Sequence, residues 1–257
     1  MSDTTAAHAK PSLGVGAIIG ESFSILFKYF VQVIIIGFVP SLIGILISGA
    51  LIGFDATLGG EPELNDASSG IAFGLTLIVD IVVYTITTAL LIQLAYDAKL
   101  QRPVQLTRYF GPALSAVVPL AILSIVAAIL TGLASIAFIV PGLWVYAVFS
   151  VMAPSVVIER AGLGGLGRSA GLTKEYRWPI VGAIILIIVC SILINVVATF
   201  LIGLIGSAGG VVLAAILFAV LMTVGTGLGS ILIALIYARL REIKEGVSVD
   251  QIAAVFD

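Results

Sequence analysis

The sequence predicts an all-α polytopic membrane protein with six transmembrane helices arranged as three hairpins. Of its 257 residues, 60% are hydrophobic and only 10% are charged, whereas about a quarter of the residues in soluble globular domains are charged. Several apolar runs are long enough to cross about 30 Å of hydrocarbon. The basic residues are confined to the segments between these runs. Together these observations place the chain in the membrane class.

The chain is organised as one membrane domain with short polar ends. Residues 1–12 are small and polar, which predicts a disordered N-terminal tail. Residues 13–245 are predicted to form a single six-helix membrane domain. Over 246–257, Gly246 is suited to a left-handed helix cap, and Ser248 to Gln251 fit a capping box that opens a short cytoplasmic amphipathic helix. The first residues lack a signal-peptide pattern, so the first apolar span is expected to remain in the mature protein.

An acidic loop is predicted to connect the first two spans. Residues 30–52 are apolar for long enough to cross the membrane, and Pro40 is expected to kink this helix. Residues 54–69 carry four carboxylates, no Lys or Arg, and several turn-forming residues, which predicts an exposed loop. The second span is predicted over residues 70–95, and Asp80 alone interrupts it.

Two longer uncharged segments supply the other four spans. The segment 111–158 holds about 48 uncharged residues, which as one helix would extend roughly 72 Å, more than twice the hydrocarbon thickness. It must therefore fold back, and Pro141-Gly142 is the predicted reversal between spans of about 113–137 and 142–158. In the segment 179–238, the glycine-rich stretch 206–210 is predicted to separate the fifth span from the sixth.

The basic residues predict the orientation of the chain. Lys and Arg concentrate in short cytoplasmic loops, and all twelve of them fall on one side of the six predicted spans. Both termini are therefore predicted to be cytoplasmic, with the acidic loop and two short turns outside. The four groups are Lys10 and Lys28; Lys99, Arg102 and Arg108; Arg160, Arg168, Lys174 and Arg177; and Arg239, Arg241 and Lys244.

A cytoplasmic amphipathic segment is predicted before each hairpin, over residues 13–29, 104–116 and 163–176. The first fits either a helix at the membrane surface or an extension of the first span. In the third, Leu163, Leu166, Ala170 and Thr173 recur at helical spacing, which leaves the basic side chains to water or lipid. We expect the anionic inner leaflet to be a partner of these basic residues. The predicted headgroup contacts are Arg160, Arg168, Lys174 and Arg177.

The sequence predicts no catalytic residues, no metal site and no cofactor site. Cys190 and His8 are the single cysteine and histidine, so the chain offers no disulfide and no cluster of Cys and His ligands. The run from Gly162 to Gly167 matches G-x-G-x-x-G, but a dinucleotide site requires a strand before this motif, and here a membrane span precedes it. We therefore predict a protein that is not an enzyme and that binds no nucleic acid.

The run VPGLWVYAVFSVMAPSVVIE, followed by GLGRSAGLTKEYRW, resembles a known family pattern. This pattern occurs in the six-span membrane domain of some bacterial glycerophosphodiester phosphodiesterases and in the YciC-like membrane proteins. GESFSILFKYF and YARLREIKEG resemble the family's two ends, whereas Lys174-Glu175 departs from the glycine expected after "LT". We expect no phosphodiesterase domain within this sequence, because the metal chemistry of that domain needs several histidines and carboxylates on a barrel, and the sequence has one histidine. The resemblance implies a non-enzymatic bacterial inner-membrane protein, a scaffold or accessory protein in lipid or envelope processes, with a protein partner still to be identified.

A polar seam around Asp80 predicts an alternative function, a small transporter or a lipid-translocating protein. Asp80 lies near the middle of the second span, where a charged side chain costs about 2.5 to 3.5 kcal/mol to insert and the neutral form is favoured. The seam is predicted between spans two, five and six. Its residues are Thr76, Asp80, Tyr84 and Thr88; Ser191, Asn195 and Thr199; and Thr223, Thr226 and Ser230. The competing interpretation is that Asp80 only locks the helices together through hydrogen bonds.

Overall fold

The fold is a bundle of α-helices. It is known from a computed structural model that describes residues 11–57, 61–62, 66–207 and 211–246. No strand occurs within these ranges, which confirms the predicted all-α class. The helices are α1 Val15–Lys28, α2 Phe30–Ile52, α3 Phe54–Thr57, α4 Ala67–Lys99, α5 Leu106–Ala137, α6 Ile139–Phe149, α7 Met152–Ile158, α8 Gly165–Thr173, α9 Arg177–Ser207 and α10 Val211–Glu245, with a 3-10 turn at Gly162–Gly164 before α8.

Six segments of the described chain are long and apolar enough to cross a membrane. They are α2, α4, α5, the consecutive pair α6 and α7, the first part of α9, and the second part of α10. This is the number predicted, and the fold is that of a multi-pass membrane protein. Asp66 caps α4, since its carboxylate accepts a 2.8 Å hydrogen bond from the Ser69 N–H. Helix α4, which forms the second span, therefore begins at Ala67, slightly before the predicted start at residue 70.

The described side chains of the bundle are most buried near one end, which we call the basic end. Here the α4–α5 connection, the segment between α7 and α9, and the C-terminus of α10 come together, and the Lys99 ammonium pairs with Glu21 at 2.7 Å. Buried apolar side chains of α4 concentrate in its half nearest this end, from Ala89 to Ala98, and α10 carries buried apolar side chains here between Leu228 and Leu240. From the opposite end, which carries the acidic loop, the first buried residue of α4 is Thr76.

The first two amphipathic segments differ from each other in the structure. Helix α1 runs along α10, since Arg239 donates a hydrogen bond to the Ser12 carbonyl and Leu26 lies beside Gly227. Tyr29 separates α1 from α2, but its N–H and carbonyl still make helical hydrogen bonds on both sides. Thus α1 continues towards the first span, with a break at Tyr29. The second segment is not a separate helix, because α5 runs without interruption from Leu106 to Ala137.

The predicted reversal at Pro141-Gly142 was wrong. The chain turns at Phe138, which has an extended backbone, and Pro141 and Gly142 lie in the first turns of α6. Proline is tolerated there because the first N–H groups of a helix have no partner within it. Gly142 is needed for packing, since a Cβ at this position would collide with the Ser135 side chain of α5.

The fourth span is interrupted, and α8 packs against the interruption. Helix α6 ends at Phe149 and α7 begins at Met152. The Val148 carbonyl, in the last turn of α6, accepts hydrogen bonds from the hydroxyls of Ser169 at 2.8 Å and Thr173 at 3.1 Å. The buried residues of α8 are Gly165, Ser169, Leu172 and Thr173. The apolar face predicted for the third amphipathic segment, residues 163–176, was wrong in part, since Leu163 is 64% exposed.

The two ends of the chain are described only in part. Gly246 has a φ of 65° and follows α10 directly, with its N–H donating to the Glu242 carbonyl at 3.2 Å, as expected for a left-handed cap. Most of the predicted N-terminal tail and of the predicted C-terminal helix lies outside the described residues. Pro40 lies inside α2, which continues on both sides of it.

Candidate functional sites: a polar cleft and a charged cluster

A cleft of about 400 Å³ lies between α2, α4 and α10, and it extends to α3. It follows α4 from Phe73 to Leu91, a length of about 27 Å along the helix axis. The polar cleft, as we call it, therefore runs from the acidic-loop end to the middle of the bundle.

Glycines hold α2 against its neighbours beside the polar cleft. A Cβ at Gly37 would collide with the Thr223 side chain of α10, and one at Gly227 would lie 2.7 Å from Val33. A Cβ at Gly44 would lie 3.0 Å from Val83 of α4. Small residues allow such close approach between membrane helices. These contacts make α2 a wall of the polar cleft, together with α4 and α10.

The structure brings together six of the ten residues of the predicted seam. Lining the polar cleft are Thr76, Asp80, Tyr84 and Thr88 from α4, and Thr226 and Ser230 from α10. Thr223 is buried where α10 meets α2.

The described side chains of span five do not line the polar cleft. Ser191 is half-buried and Thr199 is exposed on α9, which packs on α10 and α6, while the side chain of Asn195 lies outside the described residues. The third wall of the polar cleft is span one, helix α2, which contributes Ser41 and Ser48. A stripe of small residues on α2, Gly37, Ser41, Gly44 and Ser48, has helical spacing and is the sequence signal that the prediction missed.

The hydroxyl groups of the polar cleft fall into two classes. Ser41 and Thr76 donate to carbonyls of their own helices, at Gly37 and Ala72. The hydroxyls of Ser48 and Thr87 have no hydrogen-bond partner in the described structure, although these residues are only 2% and 8% exposed. A buried polar group without a partner costs about 1 to 3 kcal/mol. These two hydroxyls are therefore unsatisfied groups in the wall of the polar cleft.

Asp80 is the only charged residue among the described residues that line the polar cleft. Its side chain is exposed, and among the described residues it has neither a hydrogen bond nor an ion pair. Tyr84, one turn along α4, is 59% exposed, and its hydroxyl makes no hydrogen bond among the described residues. The geometry does not match a carboxyl that locks helices together, because such a carboxyl would be hydrogen-bonded to a neighbouring helix.

A cluster of charged side chains joins α7, α8 and α10 at the basic end. Arg168 binds Glu159 through two hydrogen bonds of 2.6 Å and also contacts Glu245. The Tyr237 hydroxyl donates a 2.7 Å hydrogen bond to Glu159. The Arg241 guanidinium lies 3.4 Å from Glu159 and 2.9 Å from Glu245. We call these five residues the Glu159 cluster.

The Glu159 cluster is electrostatically balanced. Burial opposes ionisation of Glu159, but the hydrogen bonds from Arg168 and Tyr237 outweigh it, so the pKa of Glu159 lies below its ordinary value. The same hydrogen bond from Arg168 raises the pKa of that guanidinium. Sequence reasoning missed this cluster, because its members come from three separate segments and each alone resembles an ordinary loop or helix-end charge.

The four predicted headgroup contacts occupy different environments. Arg160 and Lys174 are exposed at the basic end and remain available to lipid. Arg177 is half-buried, with its guanidinium 4.5 Å from the centre of the Trp144 ring. Arg168 is held by Glu159 and Glu245, so its geometry matches a structural ion pair better than a headgroup contact.

Comparison of the chain with models of protein families, with curated protein sequences and with solved structures finds no match. Within the described ranges, no group of three or more His, Cys, Asp or Glu residues is arranged to hold a metal ion. The functional conclusion therefore rests on the polar cleft and the Glu159 cluster.

Proposed function

We propose that this protein is a small transporter or lipid-translocating protein of a bacterial inner membrane that binds its ligand in the polar cleft. The observation that carries the proposal is Asp80, an exposed carboxyl without a partner among the described residues, in the wall of a cleft of about 400 Å³. The one-sided basic residues support an orientation with both termini in the cytoplasm. In that orientation the polar cleft extends towards the outside.

Energetics support a binding role for the polar cleft. A central Asp costs about 2.5 to 3.5 kcal/mol on the insertion scale, and the unsatisfied hydroxyls of Ser48 and Thr87 add to this cost. Polar groups that lower stability without a structural partner are typical of sites that bind something else. A ligand that bonds to these groups would recover part of the lost free energy.

The packing of the bundle supports access of a ligand to the polar cleft from one side of the membrane at a time. The halves of α4 and α10 near the basic end are buried, and the Glu159 cluster ties α10 to α7 and α8 there. We therefore assign the present conformation to a state that is closed at the basic end. Release to the cytoplasm would require the Glu159 cluster to separate.

The test is a variant that fills the polar cleft. Thr88 is a half-buried lining residue, so Thr88→Trp should occupy the space that the ligand needs. Small molecules and lipids that co-purify in mild detergent would be measured per mole of protein by mass spectrometry. We expect at least one species to be retained near stoichiometry by the wild type and lost from Thr88→Trp.

Ile78 offers a matched control on the same helix. It is 58% exposed and does not line the polar cleft, so Ile78→Trp adds an equally large ring on the outer surface of α4. This variant should keep the co-purifying species. If Thr88→Trp has the same unfolding temperature as the wild type and still retains every species that the wild type retains, the polar cleft is not the ligand site.

A scaffold or accessory role in lipid or envelope processes is the second candidate function. The exposed side chains of Arg160 and Lys174 favour it, since each basic residue near an anionic leaflet contributes about 1 kcal/mol. The resemblance of residues 141–178 to the phosphodiesterase-linked membrane domain and YciC-like proteins supports the same role, without enzymatic activity.

This second candidate has its own test. Arg160→Gln with Lys174→Gln should reduce the phosphatidylglycerol that co-purifies with the protein. The double variant Lys28→Gln with Arg108→Gln removes the same charge at other positions of the basic end and is the control. An equal loss in both double variants would show a general charge effect and would contradict a specific contact at Arg160 and Lys174.

A further inference from the structure

We propose that the ligand of the polar cleft carries an ammonium group, and that the carboxylate of Asp80 binds it. This inference rests on the proposed function and adds the chemical class of the ligand. Three independent features of the polar cleft support it: its charge, its aromatic side chains and its unsatisfied hydroxyls.

The charge of the polar cleft favours a cation. Among the described residues that line the polar cleft, Asp80 is the one charged residue, and none is Lys or Arg. An anionic ligand would therefore lie beside a carboxyl without any compensating charge. A cation would pair with that carboxyl, and the attraction between opposite charges is stronger beside the low-dielectric helices and hydrocarbon than in bulk water. A zwitterionic ligand would have to keep its negative group outside the polar cleft.

Two aromatic rings lie on the same stripe of α4 as Asp80. Phe73 precedes Asp80 by seven residues and Tyr84 follows it by four, and both line the polar cleft. Residues at these spacings share one side of an α-helix. The faces of Phe and Tyr rings attract ammonium groups, with a contribution that grows when water is excluded. An acidic side chain between two rings is thus a suitable environment for a substituted ammonium group.

The buried hydroxyl of Ser48 points to a ligand at the depth of Asp80. Gly44 faces Val83, and α2 and α4 run in opposite directions. Ser48, one turn beyond Gly44, therefore lies about level with Val79 and Asp80. The Ser48 hydroxyl has lone pairs that can face the positive charge of a quaternary ammonium or accept from an N–H of a less substituted one, and it has no hydrogen-bond partner in the described chain. The apolar side chains of Ile45, Ile52 and Leu77 complete the lining and suit an apolar part of the ligand.

The experiment compares an ammonium compound with its uncharged isostere. Choline and 3,3-dimethylbutan-1-ol have the same shape and differ in the charged nitrogen. Each would be added to the purified protein in maltoside detergent, and the midpoint of thermal unfolding would be measured. Because a ligand that binds only the folded state raises this midpoint, we expect choline to raise it by several degrees and the isostere to leave it unchanged.

Substitutions at Asp80 assign the effect to this carboxyl. Asp80→Asn should abolish the shift caused by choline, and Asp80→Glu, which keeps the charge, should retain at least part of it. A choline shift that its uncharged isostere reproduces in the wild type would overturn the inference, and this comparison does not depend on how the variants fold. A choline shift that persists in Asp80→Asn would overturn it as well.

A second pair of compounds identifies the source of the ammonium group. Lysophosphatidylethanolamine and lysophosphatidylglycerol share the same acyl chain, but only the first carries an ammonium. A shift from choline indicates a free organic cation, and a shift from lysophosphatidylethanolamine alone indicates a lipid headgroup. If neither ammonium compound acts at concentrations up to about 50 mM, the ammonium inference is wrong. The co-purification test with Thr88→Trp still decides separately whether the polar cleft binds a ligand.

Discussion

The hydroxyl of Ser169 donates a 2.8 Å hydrogen bond to the main-chain carbonyl of Val148 and so joins α8 to the interruption of the fourth span. A second hydroxyl, that of Thr173, reaches the same carbonyl. Carbonyls in the last turn of a helix have no partner within it, and burial makes a missing partner costly. The short loop helix thereby stabilises a break in a membrane-spanning segment.

Removal of both hydroxyls should destabilise the protein. The double variant Ser169→Ala with Thr173→Val leaves the Val148 carbonyl without these donors, and we expect the free energy of unfolding to fall by about 1 to 3 kcal/mol. Thermal or denaturant unfolding in detergent would measure it. Ser115→Ala removes an exposed hydroxyl that bonds only within α5 and should change stability by a few tenths of a kcal/mol at most. An unchanged double variant would mean that the break does not depend on α8.

The Glu159 cluster predicts a dependence of stability on pH. The pKa of Glu159 is lowered from its ordinary value of 4.5, so its contribution is fully present above about pH 4.5 and is lost as the pH falls through the lower, folded-state pKa. Glu159→Gln should lower stability at pH 7 by about 1.5 to 3 kcal/mol, the usual contribution of hydrogen bonds to a charged group. The variant should also lose less stability than the wild type between pH 5 and pH 3.

Unfolding midpoints across this pH range would test the prediction. Glu61→Gln, in the exposed acidic loop, removes one negative charge without touching the cluster and is the control. If Glu159→Gln and the wild type lose stability in parallel as the pH falls, Glu159 does not account for the acid sensitivity.

The orientation predicted from the basic residues can be tested with engineered cysteines. Ala67 is exposed at the acidic-loop end, and Gly167 is exposed in α8 with open space around it. In a Cys190→Ala background, Ala67→Cys should react with an impermeant thiol reagent on intact cells, and Gly167→Cys should react only after the cells are opened. The opposite pattern would reverse the orientation, and labelling of both in intact cells would contradict six crossings. Ser169 is unsuitable for this purpose, because it is fully buried.

Asp80→Leu distinguishes a ligand-binding carboxyl from a helix lock. Because Asp80 has no partner in the described structure, its replacement by Leu should raise the free energy of unfolding by about 1 to 3 kcal/mol, following the insertion scale. Binding in the polar cleft should be lost at the same time. Unfolding in detergent would measure the first effect and the choline shift the second.

Thr199 provides the comparison for this substitution. Its side chain is exposed on α9, so Thr199→Leu adds a similar apolar group away from the polar cleft and should alter stability only slightly. A loss of stability in Asp80→Leu would support the locking role instead, since it would show that the carboxyl makes favourable contacts in the folded protein.

The sequence by itself determined the class of the protein, the six apolar segments, the clustering of basic residues and the polar stripe on α4. These features depend on local composition and on the periodicity of one helix, which a chain carries whatever its neighbours are. Residues 30–52 were predicted as a span and form α2 with the same limits. Thr76, Asp80, Tyr84 and Thr88 share a face for the same reason, because their four-residue spacing is close to one helical turn.

The tertiary structure alone decided which helices meet. The third wall of the polar cleft is α2 and not α9, because Gly37 and Gly227 let α2 approach α10 closely at Thr223 and Val33. Between helices in a membrane there is little hydrophobic driving force, so neighbours are selected by the fit of side chains from remote parts of the sequence. For the same reason Glu159, Arg168 and Tyr237 meet only in the folded chain. The spacing of residues along one helix cannot specify such contacts, since they depend on how each helix is rotated and placed against the others.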